Sequence, residues 1–364
     1  MKTVIMIAIF SIFTLNTIFL SSHPTKEQFS KKDSTEIYRN TSEAKEGTFK
    51  LKHDYPININ LEPKKYTWKK INFKDTLQTE SYMLAVLNYF LSENPTPVGT
   101  EKEWFLNTSW FHAPGLASKG DGKGRESLHG LTKEKTPEHS LHKNLKSPRS
   151  TWAIGFYNDI GATTIGKAWK NIGSPKSEII NFDEHTVSIK FLFTRANTSE
   201  IPYLANTLAW KANTSRNDNI NLRKIGEVNL IQVDIAVKDL RSSIGSTGWV
   251  FGTFVYNKDY LSNDIFNSKS KIFRHLVPIG LMWEGGGQVV TSKYKKYFYE
   301  NPDIVTKGKD WDLLYSQSKG FNGIVDNPEQ NCMSCHVSLK NPSNKYDYSL
   351  QLAYGFDNYK IKSK

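Results

Sequence analysis

Cysteine is almost missing from this sequence: two thiols in 364 residues, Cys332 and Cys335, both in the stretch "NCMSCHVSLKNP". A disulfide framework is therefore excluded. A bond between the two would close a small, strained ring, suited to redox chemistry and poor as a staple. No Gly-rich phosphate loop and no internal repeat is present, which argues against a P-loop nucleotide site and a solenoid. The net charge is +12, yet no Lys/Arg block is dense enough to read as a nucleic-acid arm. The positive surplus reads as a solvated, lysine-rich surface that can also dock an acidic partner protein. Past the first twenty residues no apolar run is long enough to cross a bilayer.

What is there begins with a leader. Lys2 precedes an apolar run from Val4 to Leu20, and Ser21 and Ser22 follow before the chain turns polar. That order is the pattern of a secretory signal peptide, so residues 1–22 are expected to be removed on export to the periplasm. An uncleaved membrane anchor is the alternative, and no cysteine follows the run to make a lipoprotein. Residues 23–62 are rich in Lys, Ser, Thr and Glu and read as a flexible linker. Residues 63–149 read as a basic, partly helical extension. In it, Asp75 to Gln78 has capping-box spacing, and Leu77, Leu84, Leu87 and Leu91 recur at helical intervals.

From about residue 150 the pattern changes to alternation by two. "STWAIGFYND", "HTVSIKFLFTRA", "VNLIQVDIAVKDL" and "TGWVFGTFVYN" read as strands. Val187, Ile189, Phe191 and Phe193 would share one face, with Ser188, Lys190 and Thr194 on the other; Ile231, Val233, Ile235 and Val237 would likewise share a face. "YNDIGATTIGKAW" suits a short helix, and "NPSNKYDYSL" a last extended segment. The fold class expected is α+β, an antiparallel sheet with flanking helices over residues 150–356, followed by a polar tail, 357–364.

Cys332-Met333-Ser334-Cys335-His336 is the haem c attachment pattern. Two thiols must add to two vinyl groups on one porphyrin edge, and two intervening residues set the sulfurs at that separation. The histidine directly after them falls beneath the ring, where its imidazole can bind iron. Attachment takes place outside the cytoplasm, and the leader points the same way. A zinc site would ordinarily draw ligands from two paired clusters, and a thioredoxin-like pair would open a helix early in its domain. Neither suits a lone cluster near residue 335. Residues 337–364 contain no Met or His, so a sixth iron ligand would have to come from upstream: Met282, His112, His129, His185, His275 or Lys190. Without one, the iron keeps an open face for a small molecule.

Residues from about Thr151 to Tyr354 resemble the cytochrome P-460 family, which includes the cytochromes c′-beta. The likeness rests on "FYNDIGATTIGKAWK", "FDEHTVSIKFLFT", "QVDIAVKDLRSSIGSTGWVFGTF" and "CMSCHVSLKNPSNKYDYSL", in that order. The resemblance implies a five-stranded antiparallel sheet with flanking helices, usually dimeric, holding one haem c open on its distal side. It implies that Lys190 matches the family lysine that bonds to the porphyrin edge in the hydroxylamine-oxidising members. The c′-beta members lack that bond and bind nitric oxide or carbon monoxide. "DEHT" stands where the family has Asp-Gly-Thr, and the segment 257–331 is longer than the family's. Asp234, Glu227 and Arg195 are candidates for handling protons, and Phe191, Phe193, Trp249 and Phe251 for shaping the pocket. The function expected is an exported mono-haem c cytochrome taking hydroxylamine or nitric oxide. The alternative is a six-coordinate electron carrier with Met282 or a histidine on the iron.

Overall fold

A computed structural model describes residues 54–58, 66–93, 110–112, 127–128, 131–136, 141–168, 170, 176–213, 225–242, 247–264, 271–283, 298–302, 336, 346–350, 352–353 and 356. The leader, most of the linker, the polar tail, Cys332 and Cys335 lie outside them.

The alternating runs form strands. They are β4 (Arg149–Tyr157), β5 (Val187–Thr194), β7 (Ile225–Lys238) and β8 (Trp249–Tyr256), joined by β9 (Leu276–Met282) and β10 (Phe298–Glu300). Before them come β1 (Phe111–His112), β2 (Ser127–Leu128) and β3 (Leu131–Thr136), and β6 (Ala209–Asn213) lies between β5 and β7. All pairings among the described strands are antiparallel, in the order β10-β9-β8-β7-β5-β4-β3-β2, with β1 on β4 and β6 on β7. The sheet has ten strands, where the family resemblance implies five. Helix α1 (Thr79–Glu93) matches the leucine spacing. Leu77 does not belong to it: it is 91% exposed, in the turn before the helix. Gln78 Nε2 does donate to Asp75 Oδ2 at 2.8 Å, so the paired residues brace that turn. Helix α2 (Asp159–Ala168) is the short helix expected, capped where Asn158 Oδ1 accepts from the Gly161 N–H at 3.1 Å.

The sheet buries both faces. On one, α1 and the rings of Trp68, Phe73 and Trp110 pack with Val187, Ile189, Phe191 and Phe193 of β5 and with Ile231, Val233, Ile235 and Val237 of β7. Removing each such side chain from water contributes about 1.5–3 kcal/mol. On the other, Ala162, Ile165 and Ala168 of α2 meet Tyr157, Trp249, Phe251, Met282, Tyr346, Leu352 and Phe356. The boundary expected at Arg149 falls on the first residue of β4, which pairs with β3 from the other side of it. Trp68, Tyr82 and Phe90 also share one cluster with Trp152, so the described part of the extension is built into the same core.

A buried clamp ties the end of β7 to this extension. Asp239, 4% exposed, accepts from Arg241 Nε at 2.9 Å, Arg241 Nη2 at 2.6 Å and Tyr82 Oη at 3.1 Å. Arg241 Nη1 also donates to the carbonyls of Lys69 and Ile71. Burial alone would raise the Asp239 carboxyl, but the Arg241 bonds and charge, helped by Tyr82, hold it below its ordinary value of 3.8. A depressed carboxyl contributes stability that is present above the unfolded value and is lost as pH falls through the folded one. Asp239→Asn is expected to cost about 1.5–3 kcal/mol at pH 7. In urea titrations its deficit against wild type should narrow once pH drops below 3.8. A deficit that is constant across that range would show that the charge is not what the clamp uses.

Candidate functional site

Strand register assembles the site. Tyr157, Ser188, Ala236, Phe251 and Met282 are successive partners across β4, β5, β7, β8 and β9. Tyr157, Ala236, Phe251 and Met282 belong to the α2-side cluster or pack against it, so this row faces α2. Two residues along each strand the same face returns. The next row reads Gly155, Lys190, Asp234, Thr253, Gly280. It presents a short polar group between two positions that have no side chain.

That polar group is organised around Asp234. Lys190 Nζ lies 3.2 Å from its Oδ2, while Gln232 Nε2 at 2.6 Å and Thr253 Oγ1 at 2.9 Å donate to Oδ1. Lys190 and Asp234 both keep some exposure, so the pair sits at a rim and is not sealed in the core. Burial pushes the Asp234 carboxyl above its ordinary range, and Lys190, Gln232 and Thr253 pull it part of the way back. A carboxyl tuned upward next to an ammonium is suited to passing protons.

His336 stands over the first row. Its ring centroid is 4.6 Å from that of Phe251, tilted by 33°. Its Nδ1 lies 2.6 Å from the carbonyl oxygen of Tyr348. A carbonyl only accepts, so Nδ1 carries the proton, and in the neutral ring Nε2 holds the lone pair. This is the tautomer that a metal-ligating histidine uses, with the carbonyl bond orienting the ring.

The segment 346–350 that supplies this carbonyl is not the extended piece expected from "NPSNKYDYSL". It is a turn, with Asp347 at φ +46° and Tyr348 at φ +64°. The Asp347 carboxylate pins it. Lys238 Nζ bonds both oxygens at 2.7 and 2.9 Å, the Phe182 N–H donates at 2.8 Å and Trp249 Nε1 at 3.2 Å. Lys238 also donates to the Thr247 carbonyl and lies 5.3 Å from the Trp249 ring centre. Tyr157 Oη and Ser349 Oγ share a further bond of 3.0 Å. In the "DEHT" turn nearby, His185 is at φ +72°, a left-handed angle that favours glycine.

Of the upstream residues named as iron ligands, Lys190 and Met282 are on the His336 face. The His112 ring lies against Phe156, the His185 ring against Tyr66 and the His275 ring against Tyr256, all on the α1 side of the sheet. His129 is outside the described residues. Phe191 and Phe193 also face α1 and not the site, because β5 alternates and Lys190 takes the other side. Trp249 and Phe251 do line the His336 face. Glu227 and Arg195 are exposed and outside the row that holds Asp234. The Lys238–Asp347 pair went unnoticed in the sequence; its two members are 109 residues apart.

No family model, curated protein or solved structure matches this chain. Among the described residues no helix is long and apolar enough to cross a membrane.

Proposed function

We propose that this chain is an exported mono-haem c cytochrome that takes a small nitrogen oxide, hydroxylamine or nitric oxide, beside the Lys190–Asp234 pair. The observation that carries the reading is His336: it directly follows the two cysteines, and its Nδ1–H is committed to the Tyr348 carbonyl, so Nε2 has the lone pair. The residues present fit the group. A Cys-x-x-Cys pair precedes an oriented imidazole, and an aromatic and aliphatic layer from Trp249, Phe251 and Met282 lies beside it. Haem iron bound there supplies a ligand-binding position and one-electron chemistry.

The chain's own groups do the rest. Cys332 and Cys335 hold the porphyrin edge, and His336 holds the iron. Asp234 takes or returns a proton, with Gln232 and Thr253 fixing its orientation. Lys190 supplies the neighbouring positive charge, and by the family resemblance it is the residue that would join the porphyrin edge. The same resemblance gives a homodimer. The second reading, a six-coordinate electron carrier, is favoured by Met282, which sits directly across from Phe251 on the His336 face. Its basic surface would then dock an acidic redox protein, with an association rate that falls as salt rises.

An absorption spectrum of protein matured in a haem-c-competent periplasm decides between them. A broad high-spin spectrum that shifts with carbon monoxide or nitric oxide is the expected result. A sharp low-spin spectrum unmoved by carbon monoxide selects the electron carrier, and no haem band overturns both. A strongly red-shifted reduced Soret band that returns to the ordinary position in Lys190→Ala assigns the lysine–porphyrin bond. An unshifted band leaves Lys190 as the ion-pair partner of Asp234.

A further inference from the structure

We propose that Asp347 is a positioning residue for His336, acting through the backbone carbonyl of Tyr348 to fix the tautomer and rotation of the imidazole. The inference rests on the reading of His336 as the iron ligand and goes beyond it. Two consecutive residues with side chains, Asp347 and Tyr348, hold left-handed backbone angles. L-residues avoid that region, and runs of two persist only where surrounding structure imposes them. Here the imposing structure is visible. The Asp347 carboxylate is 8% exposed and takes hydrogen bonds from β7 (Lys238), from β8 (Trp249) and from the backbone of Phe182. Ser349 is held to Tyr157 of β4, and the Tyr346 ring stacks on Phe356 at 5.1 Å. The turn is thus fastened on three sides.

Its product is one carbonyl aimed at Nδ1 of His336, 2.6 Å away. A carbonyl held this way keeps Nδ1 protonated and makes Nε2 a stronger donor; such outer partners tune a metal as well as orient its ligand. Asp347 touches neither the imidazole nor any reacting atom, so its action is indirect, through the turn it pins.

The test uses the full-length protein, 15N-labelled at histidine and held reduced under carbon monoxide. Wild type should show a slowly exchanging Nδ1 proton on His336. Asp347→Asn should speed that exchange about tenfold, the worth of one hydrogen bond, and in samples free of carbon monoxide should raise the midpoint potential of the iron. Tyr348→Gly keeps the carbonyl and favours the left-handed angle, so it should retain both wild-type values. If Asp347→Asn does not fold, Trp249→Phe carries the test: it removes one donor to Asp347 and should move both readouts part of the way. Wild-type exchange and potential in Asp347→Asn, or in Trp249→Phe where only that variant folds, would overturn the proposal. Protein that carries no haem would overturn the iron reading instead, and the exchange measurement on those same samples would still decide whether Asp347 positions His336.

Discussion

Replacing both Cys332 and Cys335 with alanine is expected to abolish covalent haem completely. In the proposed attachment each thiol would add across a porphyrin vinyl group, its sulfur bonding one carbon and its proton passing to the other. The resulting thioether survives boiling in detergent, whereas an iron–imidazole bond alone does not. Wild-type protein from a haem-c-competent periplasm should therefore keep a haem-stained band on a denaturing gel, and the double variant should have none. Single variants should keep a weaker band, since one thioether is enough to retain the group. A wild-type lane with no stain, or a double variant that stains like wild type, would refute attachment at this pair. His336 is unchanged in these variants, so the experiment separates attachment from iron ligation.

Lys238→Met is expected to be strongly destabilising. Lys238 and Asp347 are each 8% exposed at the side chain and joined by two short bonds. Methionine matches the lysine stem in length, so packing against Trp249 is largely kept. The Asp347 carboxylate would stay buried with the Phe182 N–H and Trp249 Nε1 as its remaining described donors and without its counter-charge. Breaking one side of a buried ion pair costs about 3–5 kcal/mol, while replacing both sides with apolar groups is often close to neutral. Urea unfolding followed by tryptophan fluorescence should show a midpoint lowered by about 1–2 M for Lys238→Met. Lys238→Met/Asp347→Leu should recover much of that loss. A single variant within about 1 kcal/mol of wild type would mean that the pair is dispensable.

The strands that alternate strictly were legible in the sequence, and the physical reason is burial on one face with a chemically different face opposite. β5 is the clear case, with Val187, Ile189, Phe191 and Phe193 toward α1 and Lys190 toward His336. β3 was missed because "LTKEKT" carries three charged residues in a row and no apolar alternation. β9 was missed because Pro278 sits inside it. The register slips there: Thr253 pairs with Gly280 and Phe254 with Pro278, leaving Ile279 as the extra residue of a bulge that tolerates a proline. Leu77 had helical spacing but falls before the first turn of α1. At the site, the cysteine and histidine spacing and the lysine on β5 could be read locally. The partners that organise them, Asp234 for Lys190 and Asp347 for the Tyr348 turn, are set by strand register and by contacts across more than a hundred residues, which periodicity does not encode.

The ten-stranded sheet, with one hydrophobic cluster on each side, also bears on how such a protein can diversify. A strand alternates its side chains, so neighbouring positions such as Ile189 and Lys190 meet different surroundings although they are adjacent in the chain. Substitutions on the His336 side can alter charge and pocket chemistry while the backbone is held in place by α1 and the tryptophans behind it. The sheet acts as a mechanical insulator between the core that sets its shape and the face that carries the candidate site.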